Sequence, residues 1–199
     1  GLFHMGDARW SSGACNMNSP SKSSYDVVIV GGAMMGSSTA WFLSNNLDFN
    51  GSVLVVEMDS SYANSSTAHT NSCMRQQFSN TLNVQISQFA AEFVKDLRSY
   101  MNDDPRVPDL EIQNYGYMYL ADNAAFADVL RSNQGVQLAA GTQTELLSAD
   151  EIRARYPFYN VDDIVLGSIN LVDEGFWDAT AVFDWWRKSA RERGVEYIE

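Results

Sequence analysis

The strongest constraint on this chain is a glycine loop set between two apolar runs. Asp26-Val27-Val28-Ile29-Val30 is short and β-branched, the pattern of a strand buried on both faces. Gly31-Gly32-Ala33-Met34-Met35-Gly36 follows at once, and a helical stretch then runs to about Asn45, with Ala40, Phe42 and Leu43 available to pack. Asn50-Gly51 reads as a turn, and Val53-Leu54-Val55-Val56 as a second buried strand ending at Glu57. Strand, turn, helix and strand in about 32 residues is the length of one βαβ unit, which points to a parallel sheet and an α/β class.

Such a loop offers backbone N–H donors at a helix N-terminus to a diphosphate, and missing Cβ atoms let the phosphates approach. Gly31 supplies the tight turn, and Gly36 lets the helix pack closely on the strand. Ala33 replaces the middle glycine of G-x-G-x-x-G, and its methyl narrows the approach without closing it. Gly32 and Met35 complete the loop. Glu57 stands 21 positions past Gly36, at the end of the next strand. There a carboxylate accepts hydrogen bonds from both hydroxyls of an adenosine ribose and repels a 2′-phosphate, which disfavours NADP. The bland alternatives are a Rossmann unit that binds nothing and a solvated strand-end acid.

The chain has 199 residues and a formal charge of −12. That charge argues against non-specific binding to nucleic acid or anionic lipid. No apolar run reaches the ~18 residues of a membrane span. The two cysteines, Cys15 and Cys73, form no metal or disulfide pattern, which fits a reducing compartment, cytoplasmic or an organellar matrix. Residues 1–24, rich in Ser, Gly and Asn, read as a flexible leader.

Beyond Glu57, Ser60–Asn80 is polar and small. Leu82, Ile86, Phe89, Ala90, Phe93, Leu97 and Met101 recur at helical spacing, so a long amphipathic helix is expected up to Asp103-Asp104-Pro105, its aromatic stripe in the core. Tyr115, Tyr117 and Tyr119 alternate within Leu110–Leu120, as in a strand with one aromatic face. A helix is expected over Asn123–Asn133, and a capping box at Ser148-Ala149-Asp150-Glu151 opens another that ends near Pro157. Asp163–Asn170 reads as a strand. Asp178 caps a helix running through Arg193 to Gly194, and Val195-Glu196-Tyr197-Ile198 begins a strand. A strand begun so late implies a truncated polypeptide, or one piece of a two-chain protein.

Asp26–Gly36, Glu57, Ser65-Ser66-Thr67-Ala68, Arg75-Gln76-Gln77-Phe78-Ser79, Gly116-Tyr117-Met118-Tyr119-Leu120-Ala121 and Glu174-Gly175-Phe176-Trp177-Asp178 together resemble the FAD-dependent amine and amino-acid oxidoreductases. These include D-amino-acid oxidase, sarcosine oxidase and glycine oxidase. The resemblance covers about Tyr25 to Glu199, the N-terminal half of such an enzyme. It implies a glutathione-reductase-like Rossmann FAD-binding domain with an inserted α+β substrate domain, incomplete at the C-terminus. The expected segments are 25–106 for the FAD domain, 107–180 for the substrate domain and 181–199 for the return.

The same resemblance implies FAD as cofactor, a small amine or amino acid as substrate and oxidation of its C–N bond. It places Ser65, Ser66 and Thr67 at the pyrophosphate or ribityl chain, and Arg75 and Gln76 near the isoalloxazine. A fixed positive charge at Arg75 would stabilise reduced flavin; a surface arginine is the plain alternative. Ser66-Thr67-Ala68-His69 has the look of loops that attach flavin covalently to histidine. His69 is therefore a covalent anchor, a non-covalent flavin contact or an ordinary loop residue. Cys73 reads as a packing residue, with a reactive thiol as the alternative. The rival functional reading is a non-catalytic, flavoprotein-like accessory or assembly subunit of a larger complex, with a second chain completing the fold.

Overall fold

The computed structural model describes residues 19–199, so Cys15 and most of the expected leader lie outside the described residues. The elements run β1 (Val27–Val30), α1 (Met34–Asn45), β2 (Val53–Val56), β3 (Cys73–Met74), α2 (Thr81–Lys95), α3 (Leu97–Tyr100), β4 (Tyr117–Ala121), α4 (Ala124–Ala139), β5 (Glu145–Leu147), α5 (Ala149–Arg155), β6 (Leu166–Asn170), β7 (Gly175–Phe176), α6 (Ala179–Glu192) and β8 (Glu196–Ile198). They form two compact units. One comprises residues up to Ala68 together with Trp186–Glu199, and the other His69–Trp185.

The first unit is a parallel sheet in the order β1-β2-β8. Val27 to Val30 pair in register with Val53 to Val56, and Leu54 to Val56 pair with Glu196 to Ile198. β2 is the central strand, and Val53, Leu54 and Val55 are buried. Full burial of such side chains contributes about 1.5–3 kcal/mol each. The closing strand forms where the sequence starts one, and it pairs with β2 through its whole length. On α1 the packing residues are Ser37, Ala40 and Trp41, with the Trp41 indole N–H donating to Ser189 Oγ at 3.1 Å. Phe42, expected to pack, is 41 % exposed and meets Trp41 edge-on instead.

β1 also departs from expectation. Its Val28 and Val30 are 52 % and 88 % exposed, so the strand is covered on one face only. Side chains alternate along a strand. Val27 and Ile29 therefore share one face, on which Ile29 meets Gly36 of α1, and Val28 and Val30 share the other, which is open. Of the expected leader, Ser19–Ser24 is described. Within it, the Ser21 N–H donates to Glu196 Oε1 at 2.7 Å, and Glu196 also accepts from the hydroxyls of Ser21 and Tyr25. These bonds hold the Glu196 carboxyl below its usual pKa.

The second unit is built on an antiparallel sheet in the order β4-β6-β5 and a two-stranded ribbon of β3 with β7. On one sheet face, Ala121 and Leu166 pack with Ala127 and Leu130 of α4, joined by Tyr119 and Leu146. On the other, Leu147 and Ile169 pack with Ile152 of α5 and with Val161, joined by Met118 and Leu120. The Ser148–Glu151 capping box forms as expected. α4 begins at its Asn123 cap but runs through Gly135 to Ala139, beyond the expected end at Asn133. β6 begins only at Leu166, later than expected. Tyr115 lies outside β4 and is 73 % exposed, because Gly116 turns the backbone at φ +81° just before the strand.

The long helical stretch is realised as α2 and α3; the later part of its expected apolar stripe, Phe93, Leu97 and Met101, is buried, but the first part is not. Leu82, Ile86 and Phe89 are exposed, and Val84, Ala91 and Val94 are buried in their place.

A Cβ on Gly36 would fall 1.8 Å from the Gly31 carbonyl oxygen, whereas one on Gly135 would meet nothing within 4 Å. Gly36→Ala is expected to cost about 3 kcal/mol of stability through overpacking. Gly135→Ala, in mid-helix, is expected to be stabilising by about 0.5–1 kcal/mol. Urea unfolding of the two variants checks both values.

Candidate functional site

In the first unit the glycine loop joins β1 to α1 in one tight turn. Gly31 takes φ +95°, a region that side-chain-bearing residues rarely enter, and its N–H donates to Val56 O at 2.8 Å. Ala33 sits at the N-cap with extended backbone and offers no side-chain cap. The first turn of α1 holds no acidic residue. Ser37 N–H closes the first helical bond on Ala33 O, and Ser37 Oγ donates to Gly32 O at 2.6 Å. Met34 N–H donates to Thr67 Oγ1 at 3.2 Å. The N–H groups of Met35 and Gly36 have no protein acceptor among the described residues. Two open donors at a helix N-terminus, with no side chain competing for them, form an anion site.

Glu57 lies beside this turn. Its Oε2 accepts from Gly32 N–H at 2.6 Å, and its Oε1 from the N–H groups of Met58 and Asp59 at 2.8 and 3.1 Å. The carboxylate is thus half-buried and locked next to the open amides. A Cβ on Gly32 would lie 3.0 Å from Val55 Cγ1 and 3.3 Å from the Tyr62 hydroxyl, so the cradle is filled where a side chain would project.

Tyr62 escaped sequence reasoning because it sits in a polar stretch without periodicity. It is buried, takes φ +57°, and carries the Arg187 guanidinium 4.7 Å above its ring. Burial raises its pKa, Arg187 opposes the rise and Glu57 adds to it. Of the small-residue loop, Thr67 reaches the helix N-terminus and Ser65 turns inward to donate to Tyr62 O at 2.8 Å. Ser66 is exposed.

The remaining expected residues belong to the second unit. His69 and Cys73 are both exposed, so Cys73 does not pack as expected. Arg75 lies over the rings of Phe78 at 5.1 Å and Tyr117 at 5.5 Å, and its Nε has no acceptor among the described residues. The plain alternative, a surface arginine, therefore does not describe Arg75, which is stacked and half-buried. Tyr117 and Tyr119 stack at 5.3 Å, and burial raises the Tyr119 pKa while Arg75 opposes the rise.

Gln76 is buried next to Arg75, and its N–H donates to Glu174 Oε1 at 2.6 Å. Glu174 is fully buried and also accepts from Gln77 Nε2 at 2.9 Å and Asn170 Nδ2 at 3.1 Å. Gln77 Nε2 additionally donates to Tyr117 O, and Gln77 Oε1 accepts from Ser168 Oγ at 2.8 Å. One carboxylate thus fastens the Arg75–Gln77 segment to β6 and to the turn before β7. The sequence flagged Glu174 only as part of a family-like run, because its partners lie 97 and 98 residues away.

A Rossmann-type βαβ turn with open helix amides and a locked strand-end carboxylate defines a dinucleotide-binding protein. The family model described as "FAD dependent oxidoreductase" matches residues 26–199, and the chain belongs to that family. The FAD-dependent oxidoreductase domain-containing protein 1 homolog of Drosophila melanogaster is 34 % identical over 98 % of the chain, which spans 37 % of that relative's length. Among solved structures, L-proline dehydrogenase from P. horikoshii aligns with a TM-score of 0.66 and 20 % identity over 87 % of this chain and 43 % of its own. Glycine oxidase from Bacillus cereus aligns with a TM-score of 0.64 and 22 % identity over 88 % of this chain and 46 % of its own. FAD is the cofactor of the family, and the residues around Gly31 and Glu57 fit its ADP half. No helix among the described residues is long and apolar enough to cross a membrane.

Burial raises the Glu174 pKa above its ordinary value of 4.5, opposed by the three hydrogen bonds and by Arg75. Between 4.5 and the raised value the native state holds the proton more firmly than the unfolded chain, so stability falls as pH rises through that window. Glu174→Gln is expected to remove this fall. Urea unfolding as a function of pH, read as the difference between wild type and variant, checks it; parallel curves would refute the assignment.

Proposed function

We propose that this chain carries the nucleotide-binding part of an FAD-dependent oxidoreductase that oxidises the C–N bond of a small amine or amino acid. The observation that carries the reading is the pair of open amides on Met35 and Gly36 beside a Glu57 carboxylate already fixed by Gly32. The amides take the diphosphate of FAD, and Glu57 takes the adenosine ribose. Thr67 Oγ1 and Ser65 flank the diphosphate end.

When bound, the flavin supplies the hydride acceptor for the carbon beside the amine. Arg75 and Gln76 serve the flavin ring in this reading, which rests on the family resemblance. A guanidinium stacked on two aromatic rings, with its Nε unpaired, suits a fixed positive charge that stabilises reduced flavin. The amine or amino-acid class is supported by the two structural neighbours, whose names give L-proline and glycine as what they oxidise. His69 is exposed, which leaves its ring nitrogens accessible for contact with the flavin.

The test uses the purified full-length protein. Visible flavin absorbance that bleaches anaerobically on addition of glycine, sarcosine or proline is the expected result. A colourless protein retained in a larger complex would overturn it in favour of an accessory subunit. Acid precipitation decides the role of His69: flavin left in the supernatant excludes a covalent bond. Glu57→Gln is expected to weaken FAD binding by at least about tenfold, since a charged acceptor of ribose hydroxyls becomes a neutral one. Equilibrium titration of the apoprotein with FAD measures it.

A further inference from the structure

Glu174 is fully buried in the second unit, and donors arrive at both of its oxygens. Oε1 accepts from Gln76 N–H at 2.6 Å and from Asn170 Nδ2 at 3.1 Å, and Oε2 from Gln77 Nε2 at 2.9 Å. A carboxylate presents two acceptor oxygens, whereas a carboxamide of the same shape presents one oxygen and one donor nitrogen. These three donors therefore require a carboxylate, although burial disfavours its charge.

Gln77 carries the effect onward. Its Nε2 also donates to Tyr117 O at 2.6 Å, and its Oε1 accepts from Ser168 Oγ at 2.8 Å. With both ends committed, the Gln77 amide has one orientation. Tyr117 is one of the two rings that meet the Arg75 guanidinium, at 5.5 Å; Phe78 is the other, at 5.1 Å. Arg75, Gln76, Gln77 and Phe78 are consecutive. The buried carboxylate thus holds the two residues that lie between the guanidinium and its second ring. Arg75 itself is not among the donors to Glu174 and acts on it through space. Amides hold the anion, so the guanidinium is not neutralised by pairing with it.

We propose that Glu174 is a positioning residue for Arg75. Through Gln76 and Gln77 its two oxygens fix the guanidinium against Tyr117 and Phe78, and so fix the positive charge offered to the flavin, on the reading above that Arg75 serves the flavin ring. Exchange of this carboxylate for a carboxamide turns a nitrogen toward one set of donors. Facing Gln77, it forces that amide to turn over and sets Gln77 Oε1 against Tyr117 O. Two acceptors then repel, and the link to the ring that meets Arg75 is lost. The sign of the effect on the flavin is diagnostic. Removal of an anion by itself favours reduction, whereas displacement of Arg75 disfavours it.

The flavin midpoint potential of the purified full-length protein, measured at one fixed pH in Arg75→Gln, Glu174→Gln and the double variant, tests the proposal. Arg75→Gln is expected to make reduction at least about tenfold less favourable, a fall of about 30 mV for a two-electron couple. Glu174→Gln is expected to lower the potential as well, and the double variant to fall no further than Arg75→Gln alone, because both changes act through one charge. Gln77→Leu keeps the carboxylate and cuts the link to Tyr117; it is expected to lower the potential too, and it decides the matter if Glu174→Gln does not fold. In the apoprotein, trypsin cleavage after Arg75, measured against the other tryptic sites, is expected to be at least about tenfold faster in Glu174→Gln. An unmoved potential in Arg75→Gln overturns the placing of Arg75 at the flavin, and the proposal with it. A fall in Arg75→Gln with an unchanged or raised potential in Glu174→Gln, or falls that add in the double variant, overturns the positioning role and leaves the flavin reading standing. Unchanged relative cleavage after Arg75 overturns the positioning role as well.

Discussion

The opening turn of α1 approaches the end of β1 so closely that no side chain fits between Gly36 and the Gly31 carbonyl. That contact sets the position of every donor in the nucleotide site. It brings the helix N-terminus to the strand end, leaves the Met35 and Gly36 amides without an acceptor among the described residues, and lets Glu57 reach Gly32 N–H. An ionised carboxylate has about four lone-pair sites. Three backbone N–H groups already occupy Glu57. A ribose would therefore meet a carboxylate whose orientation is fixed before it arrives, which lowers the ordering cost of binding.

The second unit solves a different problem, that of holding an irregular segment without long secondary structure. β3 and β7 are two residues each and contribute little pairing of their own. The buried Glu174 carboxylate compensates by gathering donors from three directions: the backbone of Gln76, the side chain of Gln77 and Asn170 of β6. No cation neutralises it by direct contact among the described residues. Its charge is held by amide dipoles and by the field of Arg75, an arrangement whose worth depends on every donor being present.

What could be read in advance follows from range. The glycine loop, the acid at Glu57 and the box at Ser148–Glu151 are local chemistry, legible because each is written within a few residues of the turn or cap it makes. The strand at Val195–Ile198 was legible for the same reason. The phase of the helix over its first turns, residues 81–91, was not. Helical spacing alone does not choose between the stripe of Leu82, Ile86 and Phe89 and that of Val84, Ala91 and Val94; the surface it packs on does. The roles of Tyr62 and Glu174 were illegible for a related reason, since they exist only once distant segments are brought together. The aromatic alternation from Tyr115 failed at Gly116, where one positive φ ends the strand pattern before it begins.

The half-covered β1 carries a consequence for the handling of this polypeptide. Val27–Val30 is uncharged and wholly β-branched, it pairs only with β2 among the described strands, and one of its faces is bare. Segments of that composition with an open edge template the addition of like strands, the usual route to insoluble aggregates. The chain places a guard at the head of the strand: Asp26, held by the N–H and hydroxyl of Ser52, which keep its carboxyl below the usual pKa and so charged. An anion fixed at the start of a sticky strand opposes in-register stacking of copies, because identical charges would fall on top of one another.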